Sequence, residues 1–170
     1  ALDAGQLTLS KESISISRIF NDIKDIALSY QHVENKHHIE IRYIPDPSVP
    51  DIKIVTDYQK LLEILINLIK NSLKFTEKGF VEYGWLADQG KVTFFVKDTG
   101  IGIPEEKRDI IFQKFRQGDE SSTRKYGGAG IGLTLVKALT EIMEGRVNFE
   151  SEPGAGTTFF VELPCLPEDI

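Results

Sequence analysis

Two asparagines four residues apart, Asn67 and Asn71, interrupt an otherwise apolar segment, YQKLLEILINLIKNSLKF (58–75), and Lys74 follows one turn later. At about 100° per helical residue, Glu63, Asn67, Asn71 and Lys74 share an arc of roughly 80°. Leu and Ile take most of the remaining circumference. On a solvated face Lys, Glu or Gln would give better helix propensity, by about 0.3–0.6 kcal/mol each. An amide oxygen is instead a hard, neutral ligand suited to Mg2+, which keeps several waters and takes phosphate oxygens too. Lys74 is then placed to meet the same phosphates. A merely solvated stripe is the alternative for such a helix taken alone.

A second candidate is Asp98, which ends an apolar strand and enters a double-glycine turn, DTGIGIP (98–104). A carboxylate there can accept from an exocyclic amino group such as adenine's, with backbone freed by Gly100 and Gly102; a turn-initiating Asp is the plainer reading. A third is KYGGAGIGLTL (125–135), bare backbone ahead of a helix. It is not a P-loop, because no G-x-x-x-x-G-K-[ST] exists in the chain. Nor is it the dinucleotide fingerprint, because Leu133 stands where the third glycine belongs and no strand precedes it.

The elements that must position these groups are legible from periodicity. SISIS (13–17) and HIEIRYI (38–44) alternate as strands, and Ile19, Phe20, Ile23, Ile26, Ala27 and Tyr30 mark a helix from 18 to about 33. IKIVTD (52–57) leads into the helix at 58–75. FVEYGWL (80–86) and KVTFFVKD (91–98) flank a hairpin turn, ADQG. Pro104 suits the first turn of a helix running to about Phe115. Residues 116–127 are polar loop, 133–144 a helix closed by Gly145, and RVNFESE and TTFFVELP a last hairpin across PGAG. The order β-α-β-β-α-β-β-α-(loop)-α-β-β predicts an α+β domain with helices layered on one face of a sheet.

The 170 residues are one domain's length, 41% apolar and 27% charged, as in an ordinary globular protein. A net charge of −6 argues against a nucleic-acid surface and against a polybasic membrane anchor. No apolar run is long enough to span a bilayer. The single cysteine, Cys165, forms no internal disulfide, which fits a reducing, cytoplasmic compartment even for a membrane-anchored parent.

Taken together and in order, NLIKNSLKFT (67–76), DTGIGIP (98–104), IFQKF (111–115), GGAGIGL (127–133) and GAGTTF (154–159) resemble the N, G1, F, G2 and G3 boxes of the catalytic, ATP-binding domain of sensor histidine kinases. That family shares a superfamily with the gyrase, mismatch-repair and heat-shock chaperone ATPases. The resemblance covers about residues 11–164. It implies a two-layer α/β sandwich of the Bergerat type, with a mixed sheet covered on one face by helices. It implies ATP and Mg2+, with Asn71 on the metal, Asn67 supporting the phosphate and metal site, and Lys74 on phosphate oxygens. Phe75 then lies against adenine and Asp98 binds its amino group, with Gly100, Gly102 and Ile103 beside the base. Phe112 and Phe115 anchor a lid over 116–127, from which Arg124 or Lys125 reaches the γ-phosphate. Gly128, Gly130, Ile131, Gly132 and Leu133 bring backbone N–H groups and a helix N-terminus to the phosphates. Ala129 stands where the family commonly has Thr, which removes a hydroxyl contact. Thr157 completes the pocket.

Hydrolases of the superfamily resemble one another in placing a Glu four residues before the metal-binding Asn. Here that position is Asn67, whose amide cannot take a proton, and Glu63 is a turn too far. Phosphoryl transfer to a protein histidine is therefore preferred over a clamp-type ATPase or a non-catalytic interaction module. His32, His37 and His38 lie in nothing like the family's acceptor motif. Residues 1–10 resemble the tail of a preceding dimerisation and acceptor helix, 11–166 form the catalytic domain, and 167–170 are a tail. The expected partners are accordingly ATP, a histidine-bearing dimerisation domain and a response-regulator receiver domain, with no nucleic acid and no direct membrane contact.

Overall fold

The computed structural model describes residues 8–113 and 129–165. Among these residues seven strands and three α-helices run β1 (Glu12–Ser15), α1 (Ile16–Val33), β2 (Glu40–Ile44), β3 (Lys53–Thr56), α2 (Tyr58–Phe75), β4 (Phe80–Asp88), β5 (Lys91–Asp98), α3 (Ala129–Ile142), β6 (Arg146–Glu152) and β7 (Gly156–Leu163). The main sheet has the order β2-β4-β5-β7-β6. Its β2–β4 pair is parallel and the other three are antiparallel. β1 and β3 form a separate antiparallel pair.

Period-two burial gives the sheet a single packed face. Val81, Tyr83 and Trp85 of β4, Val92, Phe94 and Val96 of β5, and Phe159, Val161 and Leu163 of β7 all point into the core. The helices supply the opposite wall through Ile16, Ile19, Phe20 and Ile23 of α1, Leu61, Ile64, Leu65, Leu68 and Leu73 of α2, and Val136 and Leu139 of α3. The expected α+β sandwich, a mixed sheet covered on one face, is what forms.

Helix α2 begins where Asp57 caps it. One carboxylate oxygen, Oδ1, accepts from Lys60 N at 3.1 Å, and the other accepts from Ser10 N at 2.9 Å. The cap thus also ties down the chain before β1. Helix α1 lacks a local cap of that kind. Asp51, distant in sequence, takes Ser17 N at 3.0 Å and the hydroxyls of Ser15 and Ser17 at 2.6 and 2.8 Å. Buried Cys165 has its thiol pushed up to about 12 by desolvation, so it is a core residue rather than a nucleophile.

Three expectations change. The helix predicted from Pro104 to Phe115 is only a 3-10 turn at Glu105–Lys107 followed by further turns. Bonds of the i→i−3 kind, Lys107 N to Pro104 O at 2.9 Å and Ile110 N to Lys107 O at 3.1 Å, replace an α-helical ladder. Tertiary partners decide this: Arg108 donates to the Ser151 carbonyl, and Phe112 packs edge-on to Phe149 and Phe159 with centroids 6.0 and 6.1 Å away. Helix α3 starts at Ala129, four residues before the expected Leu133, so Gly130 and Gly132 lie inside its first turn. At its far end Glu144, not Gly145, takes the left-handed conformation (φ 62°). Gly145 is required instead because a Cβ there would sit 2.2 Å from Glu162 O.

Phe94 is fully buried between the layers. Replacing it with Ala should cost about 3–5 kcal/mol of unfolding free energy, measured as a lower urea midpoint at unchanged slope.

Candidate functional site

Four pieces of backbone converge along one side of α2. The first is α2 itself. Asn67 Nδ2 donates to Glu63 O at 2.8 Å, which fixes the amide plane. Its oxygen then faces α3, where a Cβ on Gly132 would stand 3.3 Å from Asn67 Oδ1. One turn on, Asn71 Oδ1 is buried and has no hydrogen-bond partner among the described residues. A buried amide oxygen without a donor is costly, on the order of 1–3 kcal/mol, unless something outside the described residues satisfies it. It suits a cation or a hydrogen-bond donor, since a carbonyl-type oxygen presents only lone pairs. A hard divalent ion with phosphate oxygens therefore fits the donor set that α2 displays.

The second piece is the end of β5. Asp98 is 5% exposed and its Oδ1 accepts from Gly100 N at 2.9 Å and Thr157 N at 3.2 Å. Burial pushes its carboxyl above the ordinary range, opposed by those two bonds and by nearby Ser72. Ser72 Oγ is buried and makes no hydrogen bond of good geometry among the described residues. Both backbone bonds fall on Oδ1, which leaves Oδ2 to meet a ligand.

The third piece is the 98–104 loop. Its glycines are explained by the protein's own packing. A Cβ on Gly100 would lie 2.4 Å from Phe75 O, the carbonyl that also receives Ile101 N at 3.2 Å. Gly102 has φ 74°, and a Cβ there would lie 2.3 Å from Glu152 O. The loop is thus clamped between the last residue of α2 and the β6–β7 hairpin. That brings Phe75, Asp98, Gly100 and Ile103 into one neighbourhood.

The fourth piece is that hairpin. Ile103 N donates to Ser151 Oγ at 2.8 Å, and Ser151 Oγ lies 2.8 Å from Thr157 Oγ1. Gly156 has φ 125° and no room for a Cβ, which would meet Asp98 O at 2.1 Å.

Among the expected site residues, Asn67 and Gly132 are neighbours, and Phe75, Asp98, Gly100, Ile103 and Thr157 are joined by the contacts above. Asn71 and Lys74 share the same helix. Leu133 is a buried core residue. Gly130 and Ile131 are placed as backbone of α3. Phe115, Arg124, Lys125 and Gly128 lie outside the described residues, as do the whole of the proposed lid (116–127), residues 1–7 of the expected N-terminal tail and the tail at 167–170. Ser72, Arg108 and Ser151 were not foreseen. Two of them carried a signal: Ser72 is a polar residue on the apolar side of α2. Ser151 occupies an inward position of β6 after Val147 and Phe149.

Residues 56–167 match the family described as histidine kinase-, DNA gyrase B-, and HSP90-like ATPase. The autoinducer 2 sensor kinase/phosphatase LuxQ of Vibrio parahaemolyticus is 34% identical over 169 residues, covering 96% of this chain and 19% of that protein. The sensor histidine kinase YclK of Bacillus subtilis is 35% identical over 161 residues, covering 94% and 33%. The chain thus spans a third or less of these relatives. Full-length ShkA, solved in complex with AMPPNP, superposes with a TM-score of 0.78 at 32% identity, covering 94% of this chain and 32% of that one. Among the described residues no helix is long and apolar enough to cross a membrane.

The raised carboxyl of Asp98 has a consequence for stability. Between its ordinary and its raised value the folded state binds more protons than the unfolded one, so stability falls as pH rises through that window. Urea titrations at increasing pH from the ordinary carboxylate pKa upward should show this component in the wild type and lose it in Asp98→Asn.

Proposed function

Because the chain belongs to the family of histidine kinase-, DNA gyrase B- and HSP90-like ATPases, we propose that it is the ATP-binding catalytic domain of a sensor histidine kinase. In this reading it binds Mg-ATP and passes the γ-phosphoryl to a histidine on a dimerisation domain outside the sequence given, and a response-regulator receiver domain takes the phosphate onward. The observation that carries the reading is the buried Asn71 Oδ1, without a partner among the described residues, on the same helix that ends against the Asp98 loop.

The residues divide the work by chemistry. Asp98 Oδ2 accepts from the amino group of the base, while the Gly100 and Thr157 amides hold the carboxylate in place. Phe75 closes one side of the base. Asn71, supported by Asn67, would hold Mg2+, which when bound offsets phosphate charge and orients the terminal phosphoryl. Lys74 and the N-terminus of α3 add positive potential along the phosphates. Transfer between phosphate and an imidazole needs positioning and electrostatics more than a protein base.

The clamp-type hydrolase reading is disfavoured by a specific contact. Asn67 stands where a water-activating carboxylate would be needed, and its amide is engaged with the Glu63 carbonyl of its own helix. LuxQ, YclK and ShkA support the kinase alternative by likeness across nearly the whole chain.

Two measurements test this. Supplying a histidine-bearing dimerisation domain with labelled ATP should yield acid-labile phosphoprotein; free phosphate without phosphoprotein would instead mark a hydrolase. Asn71→Ala should lower ATP affinity in Mg2+ by about 10- to 100-fold, and should leave affinity in EDTA and thermal stability close to wild type. Retention of the full Mg2+ effect would remove the metal assignment.

A further inference from the structure

Ser151 sits at the junction of three segments, and its hydrogen bonds can be counted. Its Oγ accepts from Ile103 N at 2.8 Å, reaches Gly156 O at 3.1 Å and lies 2.8 Å from Thr157 Oγ1. A serine hydroxyl has one proton and two lone pairs. Gly156 O is a carbonyl, so in that contact Ser151 must be the donor. Its lone pairs then take Ile103 N–H and one further proton. Only one assignment satisfies all three contacts at once: Thr157 donates to Ser151.

Thr157 is 7% exposed and pairs with Asp98 across β5 and β7. With its proton committed to Ser151, its oxygen offers lone pairs only. Asp98 presents an acceptor too, because both of its backbone bonds use Oδ1. Two neighbouring acceptors favour a base edge that carries an amino group and repel one that carries a carbonyl.

Resting on the ATP-binding reading above, we propose that Ser151 is a positioning residue that sets base specificity: by taking the Thr157 proton it holds that hydroxyl as an acceptor beside Asp98. Its second effect is mechanical. Through Ile103 N, and through its own carbonyl on Arg108, it joins the 98–104 loop and the following turn to the hairpin.

The discriminating ligand pair is ATP and ITP, whose bases differ in a 6-amino group against a 6-carbonyl with N1 protonated. In Ser151→Ala the Thr157 hydroxyl is free to rotate and donate to a carbonyl. Calorimetric titration of the chain with each nucleotide should show ATP preferred by the wild type. The variant should bind ATP more weakly and have its ATP-over-ITP ratio reduced by about threefold or more. A merely structural role would weaken both nucleotides equally, so an unchanged ratio overturns the proposal, as does a wild type that does not discriminate. Thr157→Val removes the same hydroxyl without touching Ser151 and should also lower the ratio. Should Ser151→Ala fail to fold, an unchanged ratio in Thr157→Val overturns the proposal on its own. A wild type that binds neither nucleotide instead removes the ATP-binding reading, and this inference with it.

Discussion

The Asp98 carboxylate is buried at the end of β5, and what holds it there organises everything around it. A desolvated carboxylate is tolerated only when donors are fixed in place to meet it. Here those donors are two backbone amides from opposite directions, Gly100 two residues on and Thr157 from the neighbouring strand. Meeting both requires the chain to turn back at once after β5, which brings Gly100 against the last carbonyl of α2 and Gly102 against the β6–β7 hairpin. The carboxylate, the end of the asparagine helix and the hairpin are therefore fixed relative to one another by one local constraint.

This changes the meaning of the glycines. Bare backbone in DTGIGIP suggests room for a ligand, yet the volume a side chain would occupy at Gly100, Gly102 and Gly156 is filled by Phe75 O, Glu152 O and Asp98 O. These residues permit the close backbone contacts that fix the position of Asp98. Gly132 differs. What a Cβ would approach there is the Asn67 side-chain oxygen, so α3 is packed closely onto the polar stripe of α2.

The polar groups sort in the same way. Asn67 is held by its own helix, Asp98 by the loop that follows it and by β7, and Thr157 by Ser151. Asn71 Oδ1 is buried and unpartnered among the described residues. Ser72 Oγ, one residue on, shares that lack of a partner among the described residues, so the end of α2 carries two adjacent buried side-chain oxygens that its own fold leaves open.

Sequence alone determined what local periodicity and composition can carry. The bounds of α2, Tyr58–Phe75, were read to the residue because a largely apolar stretch runs there without Gly or Pro. The β4–β5 and β6–β7 hairpins were legible from alternation and turn residues, and the polar stripe of α2 from helical geometry. Tertiary structure decided what depends on partners distant in the chain. Residues 104–113 wind as tight turns because Arg108 and Phe112 must reach the hairpin. Helix α1 is capped by Asp51, from another segment. Ser151 gained its place only when β6 and β7 paired beside the loop. Propensity acts over a few residues, whereas these outcomes are set by hydrogen bonds and packing between segments whose separation in sequence leaves no local trace.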